Sequence, residues 1–355
     1  MIFQDSSDLW RYLSHTKKTV VLYGMGNGAD KILSVCDRYG IAVADFFASD
    51  GFVRGHSFHG KRVLSYSEVK EKYGKDNLIA LLSFGSSLPD VLSLFDRVDA
   101  EVELYAPDVP VCGDTLFTRE FFEEHRERFQ EVEALLADEE SRRIFREVIA
   151  YKLDGRISHL RSAVSEKEEV YRSLLKADTI RRAADLGAYN GDTVRELMGY
   201  APLLSHVVAM EPDRRNFRKL SDFTETLSTP SVRAVHAAAW SECTTLSFAD
   251  SGNRNSGAFA KGKQIEVPAL SLDSVLNGEP VDYIKYDVEG AEREALLGSA
   301  NTIRTHHPKL LVSAYHRSED LFALPLQIHA IDPSYHIFLR RSPYVPAWDL
   351  NLICV

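Results

Sequence analysis

Residues 183–193 read Ala183-Ala184-Asp185-Leu186-Gly187-Ala188-Tyr189-Asn190-Gly191-Asp192-Thr193. An apolar run ends on an acidic side chain, two glycines follow with three residues between them, and a helical pattern begins. Gly187 lets the backbone turn tightly and approach a ligand, and Gly191 permits close packing where the helix starts. Asp185 is positioned to orient the loop or to accept a hydrogen bond from an ammonium group. A carboxylate here repels phosphate, so the loop suits an amino-acid nucleoside better than a pyrophosphate.

Downstream, Val208-Ala209-Met210-Glu211-Pro212-Asp213 places Glu211 at the carboxyl end of the next strand, where an acidic side chain accepts hydrogen bonds from ribose hydroxyls. Either motif alone is shared by many nucleotide folds. In this order they indicate an adenosyl-cofactor site made of Asp185, Gly187, Ala188, Tyr189, Gly191, Asp192, Thr193, Glu211 and Pro212. A third strand is predicted over residues 234–238, with Ala238 and Ala239 at the end where an adenine ring is flanked. Trp240 reads as a core residue, and Tyr189 either covers the cofactor or packs.

Further on, Tyr283-Ile284-Lys285-Tyr286-Asp287-Val288-Glu289-Gly290-Ala291-Glu292 delivers acidic residues to the same sheet edge. With Asp185, Gly187, Gly191 and Glu211 upstream, the block Lys285, Asp287, Glu289, Gly290, Glu292 resembles the FkbM family of methyltransferases. The resemblance covers residues 179 to about 345. It implies methyl transfer from S-adenosylmethionine to an oxygen nucleophile, commonly a hydroxyl on a sugar or other small molecule.

In-line methyl transfer requires the acceptor oxygen to be held behind the sulfonium methyl and to lose its proton. Asp287 and His316, the latter in Ser313-Ala314-Tyr315-His316, end successive strands and are the candidate catalytic residues, as base or as metal ligands. Magnesium enters only by analogy with other O-methyltransferases. Glu289 and Glu292 read as helix-start acids that favour the helix dipole, and Lys285 as structural. Asn253-Arg254-Asn255-Ser256-Gly257 reads either as an acceptor-lining loop or as an ordinary turn.

From residue 179 to 355, apolar runs alternate with helical patterns, which predicts a doubly wound α/β sheet. Runs at 335–340 and 350–355 read as an antiparallel pair closing its edge. Residues 1–115 repeat the logic on a smaller scale: a strand at 19–23, then Gly24-Met25-Gly26-Asn27-Gly28 and a helix, with further strands at 42–47 and 78–84. This glycine loop departs from the dinucleotide fingerprint, since its third glycine falls at the fifth position rather than the sixth. The expectation is two Rossmann-like domains, with residues 116–178 as a helical connector whose charges form a solvated face. His56 and His59 read as loop residues.

Composition narrows the partners. A formal net charge of −10 and the lack of a basic stripe argue against nucleic acid and anionic membranes. Four scattered cysteines suggest neither a zinc site nor a disulfide framework. The acidic start lacks the features of a secretory signal, no apolar run is long enough to span a bilayer, and a cytoplasmic enzyme is expected. The connector offers a surface for a homodimer. Two rival functions remain at this stage: an NAD(P)-dependent oxidoreductase using the Gly24–Gly28 loop, and a non-catalytic cofactor-binding scaffold.

Overall fold

A computed structural model describes residues 8–249 and 264–355. The first sheet contains β1 (Thr19–Tyr23), β2 (Val43–Ala48), β5 (Leu64–Ser65), β6 (Leu78–Leu82) and β7 (Glu103–Tyr105), all parallel, in the order β5-β2-β1-β6-β7. A hairpin of β3 (Ser57–Phe58) and β4 (Lys61–Arg62) precedes β5. Val20 and Leu22 face one apolar cluster and Val21 and Tyr23 the other. The run is apolar throughout because a parallel strand of this kind is covered on both faces.

The second sheet contains β8 (Arg182–Leu186), β9 (His206–Met210), β10 (Ser231–Val235), β14 (Tyr283–Tyr286), β15 (Lys309–Ser313), β16 (Ile337–Arg341) and β17 (Leu350–Cys354). Its order is β10-β9-β8-β14-β15-β17-β16, parallel except for β17, which runs antiparallel to both neighbours. The order reverses between β8 and β14, so a crevice opens at their carboxyl ends, where the glycine loop and Asp287 lie. The predicted edge pair is present as β16 and β17. The fold is mixed α/β, a doubly wound seven-stranded sheet preceded by a second Rossmann-like sheet.

One expectation is corrected. The third strand ends at Val235, and Ala237 N–H turns back to the Val235 carbonyl at 3.0 Å. Ala238 belongs instead to β11 (Ala238–Ala239), which pairs with β13 (Gln264–Leu270), itself paired with β12 (Thr244–Ala249). The Asn253-Arg254-Asn255-Ser256-Gly257 segment lies outside the described residues.

Helices Arg119–Glu124, Arg126–Leu135, Glu139–Asp154 and Ile157–Ser162 follow the first sheet. One apolar cluster runs from Val21 and Leu82 through Phe129, Val148 and Leu153 to Ile284, Val312 and Leu352, so these helices share a core with both sheets. Their charges do more than face solvent. The guanidinium of Arg340, buried on β16, reaches Asp138 at 2.6 Å and Glu169 at 2.8 Å, and Lys152 pairs with Asp108 at 3.0 Å.

Candidate active site

The carboxyl ends of β8, β9 and β14 border a cleft of about 360 Å³. On one side, the glycine loop is fixed by close approach. A Cβ on Gly187, which sits at φ +85°, would lie 1.9 Å from the Asp287 carbonyl oxygen. A Cβ on Gly191 would lie 2.5 Å from the Phe223 ring. The N–H groups of Gly187 and Ala188 both donate to Met210 O at 3.0 Å, joining the loop to β9.

Glu211 is buried, and its two carboxylate oxygens accept from Tyr189 N–H and Asp213 N–H, each at 2.8 Å. Burial pushes its carboxyl up to about 8, against the lowering effect of those two donors. Asp185 is also buried: one oxygen accepts from the Thr193 hydroxyl, while Oδ1 makes no hydrogen bond and lies 3.7 Å from Lys285 Nζ. Burial raises the Asp185 carboxyl, with Lys285 acting in the opposite direction. Lys285, buried within β14, also contacts Asp287 Oδ2 at 3.3 Å, so it is a structural cation between two carboxylates. Burial disfavours its charge, but Asp287 and Asp185 outweigh that and raise its pKa.

Tyr189, Asp192, Thr193, Pro212 and Ala238 line the same cleft, as do Ala239 and Trp240. Trp240 is half-buried at the cleft wall rather than a core residue.

At the other side, three carboxylates gather around His316, which is fully buried. Its Nε2 lies 3.7 Å from Asp287 Oδ1 and 3.7 Å from Glu289 Oε2, and its Nδ1 lies 3.0 Å from Glu292 Oε1. Burial opposes its charge, but Glu292, Glu289 and Asp287 together push its pKa up to about 10. Asp287 accepts from Tyr315 O–H at 3.3 Å; burial works against its charge, and Lys285 and His316 bring its carboxyl below the usual range. Burial raises Glu289 to about 7.

The reading of Glu289 and Glu292 as helix-start acids is corrected in part. The helix begins at Glu292, whose buried carboxylate accepts from Val288 N–H at 2.9 Å and Gly290 N–H at 3.4 Å. Glu289 precedes the helix at φ +53°, in a turn rather than a first helical turn. It lines the cleft.

Sequence reasoning missed the far wall. Tyr344, Trp348 and Asp349, from the loop between β16 and β17, line the cleft, as does Val111 from the N-terminal part. Next to Val111, Cys112 N–H donates to the His316 carbonyl at 2.9 Å and Cys112 Sγ to the Glu289 carbonyl at 2.9 Å. No local motif announces these residues. In the N-terminal loop, a Cβ on Gly24 or Gly28 would meet Phe84 or the Ser83 carbonyl, so these glycines serve packing onto the end of β6.

Residues 185–340 match the family model of the methyltransferase FkbM domain. Among solved structures, methyltransferase FkbM from Methylobacillus flagellatus KT aligns over 95% of this chain and 90% of that chain, with a TM-score of 0.72 and 22% identity. An rRNA methylase from Streptococcus thermophilus aligns over 54% of this chain and 96% of its own, with a TM-score of 0.37 and 12% identity. Fibrillarin from Aeropyrum pernix, in complex with S-adenosyl-L-methionine, aligns over 53% and 76%, with a TM-score of 0.32 and 13% identity. No curated protein matches the chain. The sheet order, the glycine loop at its switch point and the family match over that same stretch identify residues 185–340 as a methyltransferase FkbM domain, and with it a methyltransferase that uses S-adenosylmethionine.

Proposed function

We propose that this enzyme methylates a hydroxyl oxygen of a carbohydrate or related small molecule, with the cofactor held by Asp185, Gly187, Ala188, Tyr189, Gly191, Asp192, Thr193, Glu211, Pro212 and Ala238. The observation that carries the cofactor half is Glu211. Its carboxylate is locked by two backbone donors at 2.8 Å beside the glycine loop, leaving lone pairs for ribose hydroxyls. Asp185 Oδ1 is a buried acceptor without a hydrogen bond, which suits an ammonium group of the cofactor. S-adenosylmethionine, when bound, supplies an electrophilic methyl on sulfur.

The chain's own work is positioning. Val111 and the Tyr344–Asp349 loop line the cleft, where they are placed to orient the acceptor. Asp287 and His316 form the acceptor side, where the hydroxyl must be held while its proton departs. That acidic surface favours a neutral or polyhydroxylated acceptor over an anionic one such as nucleic acid.

In this reading, residues 1–115 form an acceptor-side module, 116–178 the helical connector and 179–355 the catalytic domain. The cytoplasmic assignment is supported by four unpaired cysteines. No helix among the described residues is long and apolar enough to cross a membrane. The helical surface remains the place to look for a homodimer contact.

The test is calorimetric titration of S-adenosylmethionine, S-adenosylhomocysteine and NAD into the protein and its Asp185→Ala and Glu211→Ala variants. A tritiated-methyl assay over a panel of sugars and polyhydroxylated metabolites accompanies it. Adenosyl-ligand binding that collapses in both variants, with label transferred to a hydroxyl compound, supports the reading. Label transferred only to nitrogen acceptors overturns the oxygen assignment.

A further inference from the structure

We propose that His316 Nε2, Asp287 Oδ1 and Glu289 Oε2 form a divalent-cation site at the acceptor end of the cleft. Its function deepens the methyl-transfer reading above and rests on it, whereas cation binding itself does not.

The first observation is an unusual histidine. His316 is completely buried, and its Nε2 makes no hydrogen bond. Buried polar atoms of this kind are rare in folded proteins and call for a partner. Nε2 points between two carboxylate oxygens, each 3.7 Å away. Metal–ligand bonds of about 2.0–2.2 Å place neighbouring donor atoms about 3.0–3.5 Å apart, so a few tenths of an ångström of side-chain adjustment closes the site.

A second, independent observation lies behind the ring. Glu292 Oε1 stands 3.0 Å from His316 Nδ1, and two backbone N–H groups hold that carboxylate in place. A carboxylate that fixes the distal nitrogen and so directs the other lone pair outward is the usual support for a metal-bound histidine. Atoms of Asp287, Glu292 and His316 all lie within 4.8 Å of one another, so the carboxylate that supports the ring and one that faces its free nitrogen stand in one compact group.

A third concerns the backbone. Glu289 occupies the left-handed region at φ +53°, and its carbonyl is held by the Cys112 thiol at 2.9 Å. A non-glycine residue kept in that region over-determines where its side chain points, a form of strain that clusters at functional sites. Asp287 and Glu289 both line the cleft, so the positions not filled by protein face the acceptor.

One imidazole and two carboxylates suit manganese, iron(II) or zinc better than calcium. A cation there would fix the acceptor oxygen and lower the pKa of its hydroxyl. The C–O bond then forms as the C–S bond breaks, the C–S electron pair stays on sulfur, and the hydroxyl proton leaves to water at the cleft mouth.

The experiment is titration of metal-stripped, full-length protein with Mn2+, following the free aquo ion by electron paramagnetic resonance, without any adenosyl ligand. The expected result is one saturable Mn2+ per chain, with affinity about tenfold or more weaker in Glu289→Gln and lost in His316→Asn. Glu289 is partly exposed, so Glu289→Gln tests the site even where His316→Asn fails to fold. No saturable Mn2+ binding by the wild type, or an affinity unchanged in Glu289→Gln, overturns the proposal. A parallel S-adenosylhomocysteine titration separates the two readings: S-adenosylhomocysteine binding without Mn2+ binding sinks this inference alone, and Mn2+ binding without S-adenosylhomocysteine binding sinks the cofactor assignment alone.

Discussion

Ser86 and Val345 exchange backbone hydrogen bonds, Ser86 N–H to Val345 O at 2.9 Å and Val345 N–H to Ser86 O at 3.0 Å. This antiparallel bridge ties the carboxyl end of β6 in the first sheet to the loop that walls the methyltransferase cleft. The N-terminal part is therefore a structural component of the cleft wall.

The neighbouring glycine tests that coupling. A Cβ on Gly85 would stand 2.7 Å from the Tyr344 ring, 3.0 Å from Trp348 and 3.1 Å from Pro346. Gly85→Val is expected to push the loop outward and weaken S-adenosylhomocysteine binding about tenfold, or ~1.4 kcal/mol. Calorimetry together with a thermal melt reads both effects. Unchanged affinity in a folded variant would mean that the wall does not hold the ligand.

Gly187→Ala should be far more damaging. The new methyl collides with the Asp287 carbonyl, which is backbone and cannot swing away, and alanine tolerates φ +85° poorly. Urea denaturation should show a loss of about 2–4 kcal/mol, with ligand binding abolished. A change below about 0.5 kcal/mol would contradict this packing, since that is the ordinary range for surface substitutions.

Glu211 links ligand binding to pH. Its carboxyl titrates near 8 in the fold, raised by burial from an ordinary value of 4.5. The neutral form is therefore favoured in the folded chain: its contribution to stability is complete below about 4.5 and is lost as pH rises through about 8. Ribose hydroxyls donate best to the ionised form, so adenosyl-ligand affinity should rise between pH 6.5 and 8.5, with proton release visible in calorimetry as a buffer-dependent enthalpy. Glu211→Gln should flatten that profile; a wild-type profile already flat would remove Glu211 from the site.

Arg340 joins the helical segment to β16 through Asp138 and Glu169. Burial opposes the Asp138 charge, but Arg340 and Ser141 outweigh it and bring its carboxyl down to about 2. This pair therefore contributes stability above about pH 4 that disappears as pH falls toward 2. Arg340→Met, which leaves two partly exposed carboxylates facing each other, should cost about 2 kcal/mol in denaturant melts at pH 7, discounted from a fully buried pair. A neutral effect would show the helices to be held by apolar packing alone.

The proposed cofactor side is legible as a motif because its residues are local in sequence. Asp185, Gly187 and Gly191 belong to one turn, and Glu211 follows at the end of the next strand. Buried parallel strands such as Leu78–Leu82 announce themselves as continuous apolar runs. Ala238 lies in a different strand from the one its apolar run predicts, because two adjacent apolar segments separated by one turn look alike until pairing partners are known.

The acceptor side was only half legible. Asp287 and His316 were identifiable as residues at strand ends, but nothing local shows His316 buried between Glu289 and Glu292, or Glu289 forced to a positive φ. Those facts depend on side chains that approach through space, and on Cys112, which lies 177 positions from Glu289 in the chain.

What the sequence alone determined, then, is the order of elements and the glycine loop, because hydrophobic periodicity and glycine geometry act over a few neighbouring residues. Tertiary structure decided the rest: which surfaces close the cleft, which carboxylates surround the histidine, and that the N-terminal part completes the site. These outcomes depend on close packing between segments distant along the chain, where charge, burial and reach act together and no short pattern records them.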